Sequence, residues 1–124
     1  MTEAEHLLDR GLFAGAMFMG GCALECFLKL AICCTLKLDE LPPVFKTHKL
    51  EDLILYTGFQ KELRGSETLR ESFDLIVDAW KPDGRSRLLY ADPAGFDHDQ
   101  AHQFLSQLRD PEHGVISWLK NRLS

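Results

Sequence analysis

Strand-like alternation of apolar and polar residues is absent from this chain of 124 residues, and so are internal repeats and low-complexity tails. These absences argue against β folds and repeat folds. The chain also lacks a glycine-rich phosphate loop, a serine nucleophile elbow and a dinucleotide-binding fingerprint. Without those motifs the sequence names no substrate and indicates no cofactor.

The N-terminus lacks the basic segment of a secretory signal, because Met1 to His6 is acidic and no cleavage site follows a short apolar core. We therefore predict a cytoplasmic location. The net charge of -5 argues against sequence-blind binding to nucleic acids, which depends on lysine and arginine side chains that neutralise phosphates. A local basic patch remains compatible with this composition.

What the chain does contain is a long apolar segment from Leu12 to Leu36, in which Glu25 and Lys29 are the only charged residues. A helix that is apolar all round is either the buried centre of a bundle or a membrane span. Because each charge at the middle of a span costs roughly 2.5 to 3.5 kcal/mol, we predict a buried helix and no membrane insertion. Leu41-Pro42-Pro43 is predicted to end this helix.

Apolar residues at helical spacing continue through the rest of the chain. They predict an all-α fold in one domain over residues 1–124, an up-and-down bundle of four main helices with one or two short extra helices. Two of the predicted elements around the long helix are a helix from Thr2 to Arg10 capped by Thr2, and a short helix to about Thr57 that is capped by Thr47 or His48 and ended by Gly58. The others are a helix capped by Ser66, with an inward seam of Leu69, Phe73, Ile76 and Trp80, and a last helix capped by Asp97.

Three local questions stay open at this stage. Residues 2–10 form either a separate helix or the first turns of the long one. The apolar stripe of the last helix keeps its phase across Pro111, which predicts either one kinked helix or two helices with Asp110 as the second cap and Pro111 at its first position. The small residues Ala16, Gly20 and Ala23 indicate a close helix crossing, either within the bundle or between two subunits.

Several of these segments together carry a resemblance. The stretch from Gly11 to Lys29, GLFAGAMFMGGCALECFLK, is followed by Thr47-His48-Lys49-Leu50, then by Trp80 and by Arg87-Leu88-Leu89-Tyr90. This arrangement resembles the HEPN superfamily (higher eukaryotes and prokaryotes nucleotide-binding domain), and the Glu25 to Lys29 motif is similar to its prokaryotic branch. The resemblance implies a helical, dimeric protein that binds or cleaves RNA or nucleotides in a toxin–antitoxin or phage-defence setting, often with a small nucleotidyltransferase partner.

Glu25 is the residue most in need of a partner, because a carboxylate in an apolar helix must be paired or shift its pKa upward. The candidate ligand-binding residues are Glu25, Lys29, His48, Arg87 and Tyr90. In the functional interpretation they form a polar site between helices. In the structural interpretation the same residues form an ion pair or clamp that holds a loop on the bundle.

The catalytic motif that the resemblance implies is an arginine, four to six intervening residues and a histidine, in a metal-independent ribonuclease. Here the nearest match is Arg109 and His113, with three intervening residues and Pro111 among them. The two side chains would supply a cation and a general acid or base. The altered spacing favours binding, or an impaired nuclease, over efficient cleavage.

Two further groups are candidates for metal ligation. His98 and His102 are four residues apart on a predicted helix, and such a pair can bind one zinc ion when a third ligand is present. The four cysteines lie in the long helix without the spacing of a zinc site, so we predict reduced, buried thiols. They are Cys22, Cys26, Cys33 and Cys34.

A second function from another class remains open. The chain is then a non-catalytic helical module, in which the small-residue face and the loop after Trp80 dock a partner protein. A basic groove near Glu25 that includes Lys81, Arg85 and Arg87 would favour RNA or a nucleotide. An exposed apolar patch would favour a protein partner.

Overall fold

A computed structural model of the protein describes residues 1–80 and 95–123, and this part of the chain is helical without strands. The all-α prediction is confirmed. The described residues form seven α-helices and one 3₁₀ turn: α1 (Thr2–Asp9), α2 (Phe13–Leu36), the turn Pro43–Phe45, α3 (Leu50–Thr57), α4 (Gln60–Arg64), α5 (Glu67–Trp80), α6 (His98–Arg109) and α7 (Val115–Leu123). Short helices are more numerous here than predicted, and the up-and-down arrangement stays a prediction.

Helix α2 is the centre of the fold, as its apolar sequence predicts. α1, α3, α6 and α7 all pack against it. Its residues Leu24, Leu28 and Ile32 are fully buried. By length and mean hydropathy (24 residues, 1.7) α2 is apolar enough to cross a membrane, yet 44% of its most apolar window is buried within the fold. This packing is compatible with the core helix of a soluble bundle.

Two glycines let neighbouring elements approach α2 closely. A Cβ atom at Gly20 would lie 2.6 Å from Leu105 of α6, and one at Gly21 would overlap the ring of Trp80 at the end of α5. Each glycine gives up roughly 1 kcal/mol of helix propensity. The close crossing predicted for Gly20 therefore lies within the bundle.

Both ends of α2 depend on residues in the left-handed region of backbone space. Gly11 has a φ of 77°, so the chain turns between α1 and α2 and the two helices are separate. The predicted cap of α1 is wrong, because Met1 occupies the N-cap position and no side chain caps it. α2 ends at Leu36, with Lys37 as its C-cap at a φ of 55°, before the prolines that were predicted to end it.

The middle of the chain contains one helix that the periodicity does not predict, the five-residue α4. Gly58 ends α3 with a φ of 81°, as predicted, but Lys49 rather than Thr47 or His48 is the N-cap of that helix. The Ser66 hydroxyl accepts from the backbone N–H of Leu69 at 3.4 Å, consistent with its predicted place at the start of α5.

Near the C-terminus the Asp97 cap is confirmed as a capping box with Gln100. Two helices form on either side of Pro111, as one of the two alternatives predicts, but the second helix does not begin at Pro111. Asp110 accepts from the backbone N–H groups of Glu112 and His113, both at 2.9 Å, and these bonds close a turn rather than begin a helix. α7 starts only after Gly114.

One side of α2 is neither charged nor fully covered by the described residues. We call it the outer face of α2. Leu30 is 50% exposed there, and Cys26 is also exposed. The face consists of Met19, Cys22, Ala23, Cys26, Leu30 and Cys33.

Candidate functional site

The buried carboxylate of Glu25 is the centre of the candidate site. Only 7% of the residue is exposed, and it lies on an otherwise apolar helix. Lys29, one turn later, donates from Nζ to Oε2 of Glu25 at 3.1 Å. This order, acid before base at a spacing of four, is the favourable one on a helix.

His48 reaches the same carboxylate from a different part of the chain. Its Nδ1 lies 3.1 Å from Oε1 and 3.0 Å from Oε2 of Glu25. An ionised carboxylate only accepts hydrogen bonds, so with Glu25 ionised Nδ1 carries the proton of this contact. The cluster of Glu25, Lys29 and His48 therefore links α2 to the loop that precedes α3. We call it the Glu25 cluster.

Trp80 supports His48 through the backbone. Its indole Nε1 donates to the carbonyl oxygen of His48 at 3.1 Å, and the residue is only 3% exposed. The space for its ring exists because position 21 of α2 is a glycine. Sequence reasoning assigned Trp80 to the core and missed this bond. The only signal for it was that Trp80 and His48 both belong to the segments that carry the resemblance.

Exposure differs strongly among the three side chains of the Glu25 cluster. The Glu25 side chain is 9% exposed, that of Lys29 24% and that of His48 60%. The carboxylate thus holds an ammonium group and an imidazole that both remain partly accessible to solvent. Such groups can donate hydrogen bonds to a phosphate or to the edge of a base, while Glu25 keeps them in position.

Arg87 and Tyr90, the other two candidate ligand-binding residues, lie outside the described residues. The same holds for Lys81 and Arg85, which the sequence associates with a basic groove. In the sequence these residues follow directly after Trp80.

Arg109 and His113 each have an acidic partner of their own. Arg109 donates from Nη1 to Oε1 of Glu5 at 2.9 Å, which ties α6 to α1. His113 lies in the turn after α6, its side chain 60% exposed and its Nε2 3.7 Å from Glu112. The backbone N–H groups of His113 and Glu112 hold the pKa of the Asp110 carboxyl below its ordinary value. The geometry thus assigns structural contacts to this region.

His98 and His102 lie side by side at the start of α6, with ring centroids 5.6 Å apart and nearly parallel. Phe13 also contacts His98 in a T-shaped arrangement, at a centroid distance of 5.9 Å. Within the described ranges, no group of three or more histidine, cysteine or acidic residues is placed to hold a metal ion. A catalytic zinc site would need such a third ligand.

None of the four cysteines forms a disulfide within the described residues, but the prediction that they are buried is wrong. Cys26 and Cys34 are exposed, whereas Cys22 and Cys33 are half-buried. The error arises because α2 is apolar on all sides while the described part of the fold covers it only in part.

No protein-family model, curated protein or solved structure matches this chain. The Glu25 cluster must therefore be interpreted from its own geometry and from the residues that carry the resemblance.

The Glu25→Gln substitution tests how much the cluster contributes to the fold. Glutamine keeps the shape of the side chain but removes the charge that accepts hydrogen bonds from Lys29 and His48. Because hydrogen bonds to charged groups contribute ~1.5 to 3 kcal/mol, we expect the free energy of unfolding to fall by at least ~1 kcal/mol. Thermal unfolding at neutral pH measures the change.

Asp74→Asn is the matched control for Glu25→Gln. Asp74 pairs with Arg64 at 2.8 Å, but both side chains are more than 40% exposed. Exposed pairs contribute ~0 to 1 kcal/mol, so this variant should unfold close to the wild type. An unchanged melting temperature in Glu25→Gln would contradict the assigned role of the carboxylate.

Proposed function

We propose that this chain is a HEPN-like protein that binds RNA or a nucleotide at the Glu25 cluster. In this proposal it acts as a homodimer in a toxin–antitoxin or defence setting, with a nucleotidyltransferase as its partner. The observation that carries the proposal is the convergence of Lys29 and His48, from two elements, on the buried carboxylate of Glu25.

The cluster supports binding for a physical reason. Glu25 is too buried to be a surface charge, and both of its partners are partly accessible. A ligand phosphate at Lys29 and His48 would meet donors whose positions are already restricted, which reduces the entropy that binding must overcome. The sequence after Trp80 adds further cations and Tyr90, a residue type on which bases stack.

Binding is favoured over cleavage. Arg109 is engaged with Glu5 and His113 stands in a separate turn, so neither the family spacing nor the contacts of these residues support a nuclease centre. The overall charge of -5 also restricts any nucleic-acid contact to a local surface. We therefore expect retention of RNA without efficient hydrolysis.

Incubation of the purified protein with a mixed, end-labelled RNA pool tests the proposal. We expect the protein to retain RNA, and this retention to weaken as the salt concentration rises. In Lys29→Ala, retention should weaken several-fold, and the slope of log affinity against log salt concentration should fall by about one, as the loss of one phosphate contact predicts. Lys61→Ala is the control, because it removes the same charge from an exposed position on α4. Retention that falls equally in both variants would contradict a site at the Glu25 cluster.

The same incubation, with and without a chelator, separates the catalytic alternatives. Cleavage that resists chelation and disappears in His113→Ala would assign activity to Arg109 and His113 despite their spacing. Cleavage that disappears on chelation would instead assign it to His98 and His102. With neither cleavage nor retention, the RNA proposal fails.

The alternative function, a non-catalytic helical module that binds a protein, is favoured by one observation. The outer face of α2 is uncharged and partly exposed, and it includes Leu30, which is half exposed. Uncharged, apolar surface of this kind is typical of protein contacts.

A further inference from the structure

His98 and His102 are the one pair of histidines that lie four residues apart in this sequence. Both belong to α6, and both are exposed. Their ring centroids are 5.6 Å apart, with an angle of 19° between the ring planes. Residues at this spacing occupy the same side of a helix, so the two imidazoles face solvent together.

The separation of the two rings matches the size of a metal ion. An ion about 2.1 Å from one nitrogen of each ring lies roughly 3.2 Å from each ring centre, so two ring centres on one tetrahedral ion are roughly 5 Å apart. The observed centroid distance is 5.6 Å. A small rotation of either exposed side chain closes the difference.

The backbone and one ring of the pair are held in place before an ion arrives. The capping box of Asp97 and Gln100 fixes the first turn of α6, in which His98 is the first residue. The ring of His98 also packs against Phe13 of α2. Because these contacts already restrict His98, less conformational entropy is lost when an ion binds.

Negative charge near the pair favours a cation. Oδ1 of Asp99 lies 3.6 Å from Nδ1 of His98. A carboxylate beside one ring nitrogen leaves the other nitrogen for the ion, as in many histidine metal sites. The carboxylates of Asp97 and Asp99 also offset the positive end of the helix dipole of α6.

We propose that His98 and His102 together bind one divalent late transition-metal ion, the class to which Zn²⁺, Ni²⁺ and Cu²⁺ belong. Imidazole nitrogen suits these ions, whereas Mg²⁺ and Ca²⁺ prefer oxygen ligands. Within the described ranges no group of three histidine, cysteine or acidic residues holds a metal, so water or donor atoms of another molecule occupy the remaining positions. The site thus differs from the closed, four-ligand sites of structural zinc.

This inference goes beyond the proposed function and does not depend on it. The Glu25 cluster and the pair of His98 and His102 involve different side chains on different elements. Metal binding and RNA retention can therefore fail separately.

Isothermal titration of the purified protein with Ni²⁺ tests the site. We expect the affinity to fall roughly ten-fold or more in both His98→Ala and His102→Ala, because the second imidazole acts at the high effective concentration of an intramolecular ligand. His113→Ala is the matched control. His113 is 60% exposed and lies 3.7 Å from an acidic neighbour, much as His98 is 59% exposed and lies 3.6 Å from Asp99, but no second histidine is four residues away.

A relocated histidine tests the spacing itself. The double variant with His102→Gln and Gln103→His keeps the composition of the chain but places the two histidines five residues apart, on different sides of α6. Positions 102 and 103 are both exposed, so this variant is expected to fold. It should bind Ni²⁺ as weakly as His102→Ala.

Thermal unfolding gives a second readout. An ion that binds the folded pair more tightly than the unfolded chain raises the melting temperature, so Ni²⁺ should stabilise the wild type and His113→Ala more than His102→Ala. The four cysteines also bind such ions, but they are present in every variant, so differences between variants report on the histidines.

Three results would overturn the proposal. The first is a wild type that binds no Ni²⁺ beyond the level of His102→Ala. The second is an equal loss of affinity in His113→Ala, which would show that any exposed histidine suffices. The third is a relocated variant that binds Ni²⁺ as tightly as the wild type.

Discussion

Replacing Trp80 with alanine is expected to lower the free energy of unfolding by about 3 to 5 kcal/mol, the range for a large aromatic residue removed from a core. The residue is 3% exposed, and its ring lies where a Cβ atom at position 21 of α2 would be. The substitution also removes the donor to the His48 carbonyl oxygen. Urea unfolding followed by circular dichroism measures the loss.

Two further variants separate the parts of this effect. Trp80→Phe keeps an aromatic ring and removes the N–H donor, so its loss in the free energy of unfolding includes ~1 kcal/mol for the missing hydrogen bond. Trp118→Ala is the control for tryptophan removal, because Trp118 is only half-buried on α7 and packs against Phe59 in a T-shaped arrangement. A loss in Trp80→Ala no larger than in Trp118→Ala would contradict the central place given to Trp80.

Replacing Gly114 with alanine is expected to cost about 2 to 3 kcal/mol, at the upper end of the range for overpacking. A Cβ atom there would lie 2.5 Å from the backbone nitrogen of Asp110 and 2.6 Å from the carbonyl oxygen of Leu108. Backbone atoms cannot rotate away as a side chain can, so the turn between α6 and α7 must open. Chemical denaturation measures the change.

Gly95→Ala is the matched control for Gly114→Ala. Among the residues that the structure describes, apart from its chain neighbours, no atom lies within 4 Å of the Cβ position at Gly95, and its backbone is not left-handed. We expect its stability to stay within ~0.5 kcal/mol of the wild type, as for most surface substitutions. Equal effects at the two glycines would show that the turn accommodates a side chain.

Local chemistry made some features of this fold predictable from the sequence. The capping box at Asp97 and the glycine after α3 depend on residues within a few positions of each other. The ion pair of Glu25 and Lys29 is equally local, because positions four apart on a helix are always neighbours. Such features need no knowledge of the rest of the chain.

Other boundaries were predicted wrongly because packing decided them. The C-cap of α2 is Lys37, several residues before Pro42, although lysine is an unusual residue at a φ of 55°. Pro111 marks a turn rather than a first helical position, because Gly114 and the Asp110 carboxylate close that turn. Proline indicates a break in a helix, but it does not determine on which side the next helix begins.

In the candidate site, too, some features could be predicted from the sequence, whereas others depend on packing. The sequence predicted that Glu25 needs a partner and named His48 among several possibilities. Which one reaches the carboxylate depends on how the loop before α3 lies on α2, and that position depends in turn on Trp80 and Gly21. The structural clamp and the binding site share this geometry, and the RNA measurement distinguishes them.

The amino-acid sequence by itself determined the all-α class, the central helix and the pairing of Glu25 with Lys29, since these depend on composition and on spacings of three and four. The tertiary structure decided the contact of His48 with Glu25, the bond from Trp80 and the exposure of Cys26 and Leu30. Contacts between residues distant in the chain depend on the packing of several helices at once. No local pattern of residues encodes that packing.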